Sequence, residues 1–258
     1  MRKEESSKMK HENILDTKVG NGGAEQRLCN PPSISAIDEL TIEHTPERIY
    51  IRSNCKWKTL SSAVLGAGFG YHHSFLNRHV DKTYNCDEPE KEFTLYIQNH
   101  GMEADTLAMM TAARLEDAEI LRSKEGSPDI LVMVSTGTSN AVDASKAFNL
   151  PDWNRSVGTI NTWVFIEGSL PEAAYVQALI TVTEAKTKAL HDEDIRDSIT
   201  GTIATGTSTD SVMIASTSSG PDYPYAGTVT QVGKEIAKLV YEGMRTTIRR
   251  NKKRLGES

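Results

Sequence analysis

The chain has 258 residues, 38% of them hydrophobic and 25% charged, with a formal net charge of −6 and a pI near 5.7. That length is enough to bury a substantial core, and the acidic balance offers no general attraction for phosphate backbones or anionic lipid, which excludes nucleic acid and membrane surfaces as default partners. Its longest apolar runs, Ile130 to Val134 and Val212 to Ala215, fall far short of the roughly 20 residues that span a bilayer.

Residues 1–32 are polar and end in GNGGAEQRLCNPP. They carry too few large apolar groups to order themselves, so a loose N-terminal arm is expected ahead of a domain over residues 33–258. The opening MRKEESSKMK has no apolar h-region, and a cytoplasmic location is the expectation. RIYIRS (Arg48 to Ser53) alternates at period two and LSSAVLGAGFG (Leu60 to Gly70) is strand-like until its glycines, which predicts two sequential strands.

A loop follows through Asp87 and Pro89, and FTLYIQ (Phe93 to Gln98) reads as a strand. Met102 to Leu121 is rich in helix formers and predicts a helix. ILVMVS (Ile130 to Ser135) is a fully apolar strand candidate that delivers TGTS at its end. GTINTWVFIEG (Gly158 to Gly168) is enriched in β-branched and aromatic residues and predicts another strand.

Ser169 to Pro171 mark a helix start, and Val176, Leu179, Ile180 and Val182 then recur close to helical spacing, predicting a helix that covers a sheet face. A second TGTS leads into SVMIAS, a strand. The chain closes on a helix with Val232, Ile236, Leu239, Val240 and Ile248 on one stripe. Intermixed strands and helices, with several strands before the first good helix, indicate an α/β or α+β layered sandwich of mixed sheet and helices in a single domain. Cys29, Cys55 and Cys86 lack CxxC spacing and are expected to be ordinary reduced thiols.

The recurring motif stands in STGTSN (135–140) and ATGTSTDS (204–211). In the second copy Gly206 permits a bend or close approach. Thr205, Thr207, Ser208 and Thr209 offer hydroxyls that donate and accept. Asp210, a carboxylate among hydroxyls, suits a general base that orients a nucleophile or activates water, or else an Asx-type turn bond. In the first copy Asn140 binds an amide or caps a helix in NAVDASKAF.

Neither copy is a phosphate loop, since no lysine follows at the GxxxxGK[ST] spacing, and GAGFG (Gly66 to Gly70) lacks both the third-glycine spacing and the following helix of a dinucleotide fingerprint. His72, His73, His79 and His100 fit no metal-ligand pattern, so neither a metal nor a cofactor is expected. Glu184, in TEAK, reads as a solvated helix face or as an acid facing a pocket.

Taken in order, LSSAVLGAGFG, NRHVDKTYNCDEP, MMTAA, STGTSNAVDA, GTINTWVFIEGSL, TVTEAKTKAL, ATGTSTDSVMIA and YAGTVTQVGKEI resemble the adenosylcobinamide amidohydrolase (CbiZ) family of corrinoid salvage, over roughly residues 50 to 245. The resemblance implies hydrolysis of the amide joining the aminopropanol arm to the corrin ring of adenosylcobinamide, giving adenosylcobyric acid. On that footing Asp210 is expected to activate water or the hydroxyl of Ser208 or Thr209. Thr136, Thr138, Ser139, Asn140, Thr205, Thr207, Asn161 and Glu184 are candidate contacts to the corrinoid substrate. Two alternatives remain open: a non-catalytic corrinoid carrier or sensor, and a hydrolase of another amide.

Overall fold

A computed structural model describes residues 35–149 and 158–256. The expected N-terminal arm lies outside the described residues. The strands are β1 (Thr41–His44), β2 (Arg48–Ser61), β3 (Gly68–His79), β4 (Leu107–Thr111), β5 (Glu119–Arg122), β6 (Ile130–Thr136), β7 (Ala141–Val142), β8 (Ile160–Ile166), β9 (Gly206–Thr207) and β10 (Ser211–Ser216). The helices are α1 (Pro89–Asn99), α2 (Glu172–Asp192) and α3 (Gln231–Leu255). The main sheet is mixed and runs β4-β3-β2-β10-β8-β6-β5, with β1 also paired to β2, while β7 and β9 form a separate ribbon. This is a layered α/β fold in a single domain.

The sheet curls on itself. β3 and β8 are separated by two strands in the sheet order, yet Phe75 of β3 meets Phe165 of β8 edge to face at 4.9 Å. Trp163 Nε1 also reaches Met109 Sδ of β4 at 3.1 Å. The bend begins in β2, a 14-residue strand whose pairing with β3 slips between Arg52 and Trp57; such bulges increase local twist. Leu131, Met133, Trp163, Phe165, Met213 and Ala215 point into the curl. Their alternates Val132, Val134, Val164, Ile166 and Ile214 face α2 and α3. β6 is apolar on both faces because both are covered.

Several elements depart from the sequence expectations. The two sequential strands expected at Arg48 to Ser53 and from Leu60 are one, since β2 runs from Arg48 through Leu60 and Ser61, and the chain then bends at Gly66 and Gly68, both at positive φ, where the glycines are expected to permit it. Phe93 to Gln98 lies inside α1, where Phe93 and Ile97, four apart, are the buried residues and Pro89 occupies the first turn; so short an apolar run does not distinguish strand from helix. The helix expected over Met102 to Leu121 is instead β4, a 3-10 turn at Leu115–Asp117 and β5. Pairing with β3 and β6 overrides the local helical propensity.

On α2 the buried face is Ala174, Tyr175, Ala178, Val182, Ala185 and Ala189, whereas Val176 and Ile180 are exposed. Asn140 starts no helix: β7 follows it, then a 3-10 turn at Ala147–Asn149. Cys55 is disulfide-bonded, contrary to the expectation of three reduced thiols, while Cys86 is free. Spacing along the chain does not determine which thiols meet in space.

Candidate active site

Sheet register brings the two TGTS loops together. Thr136, the last residue of β6, is paired with Ile160 at the start of β8, and Ser211 at the start of β10 is paired with Asn161. Both loops therefore leave the sheet at the same end. They then pair with each other through β7 and β9, Ala141 opposite Thr207 and Val142 opposite Gly206.

Asp210 is the centre of the cluster. Its Oδ1 accepts from the backbone N–H of Thr207 at 3.1 Å, from the Thr207 hydroxyl, and from Ile160 N–H at 3.3 Å. Its Oδ2 pairs with Lys186 Nζ. Both side chains of that pair are nearly covered, at 10% and 15% exposure, so removing either charge strands the other at a cost of about 3–5 kcal/mol.

In the sequence Lys186 is simply the last residue of TEAK, two positions after Glu184. The signal was present: Ala178, Val182, Ala185 and Ala189 trace the buried stripe, and Lys186 falls four residues after Val182 within it. A lysine there needs an acid partner.

Asn140 braces the rim. Its Nδ2 donates to Ser208 Oγ at 2.9 Å and to Thr209 Oγ1 at 3.4 Å. Its Oδ1 is buried with no hydrogen-bond partner among the described residues, which costs about 1–3 kcal/mol for an amide oxygen. Thr209 also donates to the Gly158 carbonyl at 2.6 Å, and Thr159 donates to the Thr209 carbonyl at 2.6 Å. Ser208 and Thr209 are exposed and Thr207 is half-buried.

The remaining candidates are dispersed. Thr205 accepts from Ala144 N–H at 3.0 Å and ties the second loop to the chain after β7. Thr138 is half-buried and Ser139 exposed beside Asn140. Thr136 is buried on the helix side, bonded to Thr247 of α3 at 2.7 Å. Asn161 points into the curl, where its Nδ2 donates to Asn77 Oδ1 at 2.8 Å and to the Met110 carbonyl at 2.9 Å. Glu184 is exposed on α2, about 200° around the helix from Lys186.

Two further carboxylates tie down the segment that leads into the second loop. Asp143 accepts from the hydroxyls of Thr202 and Ser145, which hold it below the usual carboxylate range. Burial works against the charge of Asp197, but the N–H groups of Asp143, Ile199 and Thr200 outweigh it and the carboxyl is lowered. The histidines are spread among separate partners. Burial lowers the pKa of His72, which bonds Thr59 at 2.9 Å. His73 pairs with Asp105, and His79 and His100 bond the carbonyls of Ala113 and Tyr96.

The arrangement brings a carboxylate, hydroxyls and amide groups together on a partly open rim, group types that acyl-transfer chemistry uses. No helix among the described residues is long and apolar enough to cross a membrane. Residues 33–256 match the family described as adenosylcobinamide amidohydrolase. A Methanosarcina mazei protein named adenosylcobinamide amidohydrolase is 28% identical over 179 residues, covering 66% of this chain and 80% of the relative. An uncharacterized protein of Methanocaldococcus jannaschii is 25% identical over 178 residues, covering 62% of this chain and 68% of the relative. By this match the chain belongs to the adenosylcobinamide amidohydrolase family and is an amidohydrolase.

Proposed function

We propose that the chain hydrolyses the secondary amide joining the aminopropanol arm to the corrin ring of adenosylcobinamide, releasing adenosylcobyric acid and the amino alcohol. The observation that carries this reading is the convergence of two hydroxyl-rich loops from one sheet end around Asp210. Family membership supplies the substrate class. Asp210 serves as the base, and the Ser208 and Thr209 hydroxyls, steadied by Asn140, form the polar edge that meets the amide-bearing rim of the corrinoid.

Purified protein incubated with adenosylcobinamide is expected to yield adenosylcobyric acid and aminopropanol in equal amounts by mass spectrometry. Tight binding without product would instead identify a corrinoid carrier. Asp210→Asn is expected to lower turnover by at least about 100-fold, the scale for loss of a general base. Near-normal turnover in a folded Asp210→Asn variant removes the residue from the chemistry.

A further inference from the structure

We propose that Thr207 is the nucleophile, and that hydrolysis passes through an ester between its Oγ1 and the corrinoid acyl group. This inference rests on the amide-hydrolysis reading above. A carboxylate presents about four lone-pair sites, and four donors already converge on Asp210: the N–H and hydroxyl of Thr207, the N–H of Ile160 and the ammonium of Lys186. Three of the four crowd Oδ1, so a water approaching Oδ1 would have to displace one of them, while Oδ2 is shared with the Lys186 ammonium. Two of the donors are peptide amides and the third is the counter-charge. The Thr207 hydroxyl alone becomes a nucleophile when its proton moves to Asp210.

Of the neighbouring hydroxyls, Thr209 donates to the Gly158 carbonyl and Ser208 accepts from Asn140, so neither is directed at Asp210 as the Thr207 hydroxyl is. The N–H of Thr209 lies 3.4 Å from Thr207 Oγ1 and supports negative charge on that oxygen as its proton leaves.

In the first half-reaction Thr207 Oγ1 bonds to the amide carbonyl carbon while its proton passes to Asp210. The carbon–nitrogen bond then breaks, and the nitrogen leaves as the free amine with that proton. In the second half-reaction water attacks the ester carbonyl, gives a proton to Asp210, and the carbon–oxygen bond to Thr207 breaks. The proton returns to Thr207 Oγ1 and the acid is released. Lys186 stays charged throughout and acts as a positioning residue, holding Asp210 through Oδ2 so that Oδ1 faces Thr207.

The test adds hydroxylamine to wild-type turnover of adenosylcobinamide and of an analogue with a different amine arm. A shared ester gives the hydroxamate from both substrates at the same hydroxamate-to-acid ratio. Thr207→Val, nearly isosteric, is expected to lose at least about 1,000-fold in turnover. Thr207→Ser, which keeps a hydroxyl, is expected to remain within about tenfold of wild type. Absence of hydroxamate, a ratio that changes with the leaving amine, or near-normal turnover by Thr207→Val overturns the nucleophile while leaving amide hydrolysis intact. Absence of wild-type turnover overturns the proposed function, and this inference with it.

Discussion

Gly206 lacks a side chain at the point where two charges meet. A Cβ there would stand 2.6 Å from Asp210 Oδ2 and 2.7 Å from Lys186 Nζ, so the motif needs glycine for close approach rather than for an unusual backbone angle. Both neighbours are side-chain ends that can swing away. Gly206→Ala is therefore expected to cost no more than about 1–3 kcal/mol. Turnover should nevertheless fall at least about tenfold, because a displacement of about an ångström in a catalytic group costs far more than the packing energy implies. Thermal melting and single-turnover rates, measured together, separate the two effects; a lowered Tm with unchanged rate would leave the pair a structural role alone. Asp210 was legible in the sequence as an isolated acid among hydroxyls. Lys186 was hidden because lysine on a helix is normally solvated, and only its position in the Val182 stripe marks it as buried.

At the scale of elements, α3 approaches β6 closely at Gly243, whose missing Cβ would lie 3.2 Å from Val134 Cγ2. Gly243→Leu is expected to lower unfolding free energy by about 1–3 kcal/mol, read from a urea midpoint. Turnover per folded molecule should stay unchanged, since Gly243 faces Val134 and Leu121 rather than the Asp210–Lys186 pair. Elements with strong, long patterns were legible: β6, β8, β10 and α3 stand close to where periodicity placed them. The Met102 to Leu121 segment was not, because its composition favours a helix while partners distant in sequence impose strands. α2 was legible as a helix but misread in orientation. Its alanines pack against the sheet, and the larger Val176 and Ile180 face outward.

At the scale of the whole molecule, the curl is cross-linked by a buried amide network. Asn77 of β3 donates to Ser135 of β6 at 2.9 Å and accepts from Asn161 of β8 at 2.8 Å. β3 is thereby joined to the β8–β6 pair, from which β2 and β10 separate it in the sheet. Asn77→Ala leaves two buried partners short of a bond, so a loss of about 1–3 kcal/mol and a Tm lower by roughly 2–10 °C are expected by calorimetry. An unchanged Tm would mean that water replaces the amide. Nothing local in LNRH announced this role, since it exists only once the sheet has bent.

The position of β10 has a consequence for how the protein is made. Among the paired strands it alone joins the β2–β4 flank to the β8–β6–β5 flank, and it is also the last strand in the chain. Until residues 211–216 have been synthesised, the nascent chain holds two sheet fragments. The Lys58–Ser61 edge of β2 and the outer edge of β8 are then unpaired and open to wrong partners. Pairing across such sequence distances is slow to form. Asp210 sits directly ahead of that closing strand, so the base enters its site as the sheet is sealed, and no shorter fragment emerging from the ribosome carries the assembled chemistry.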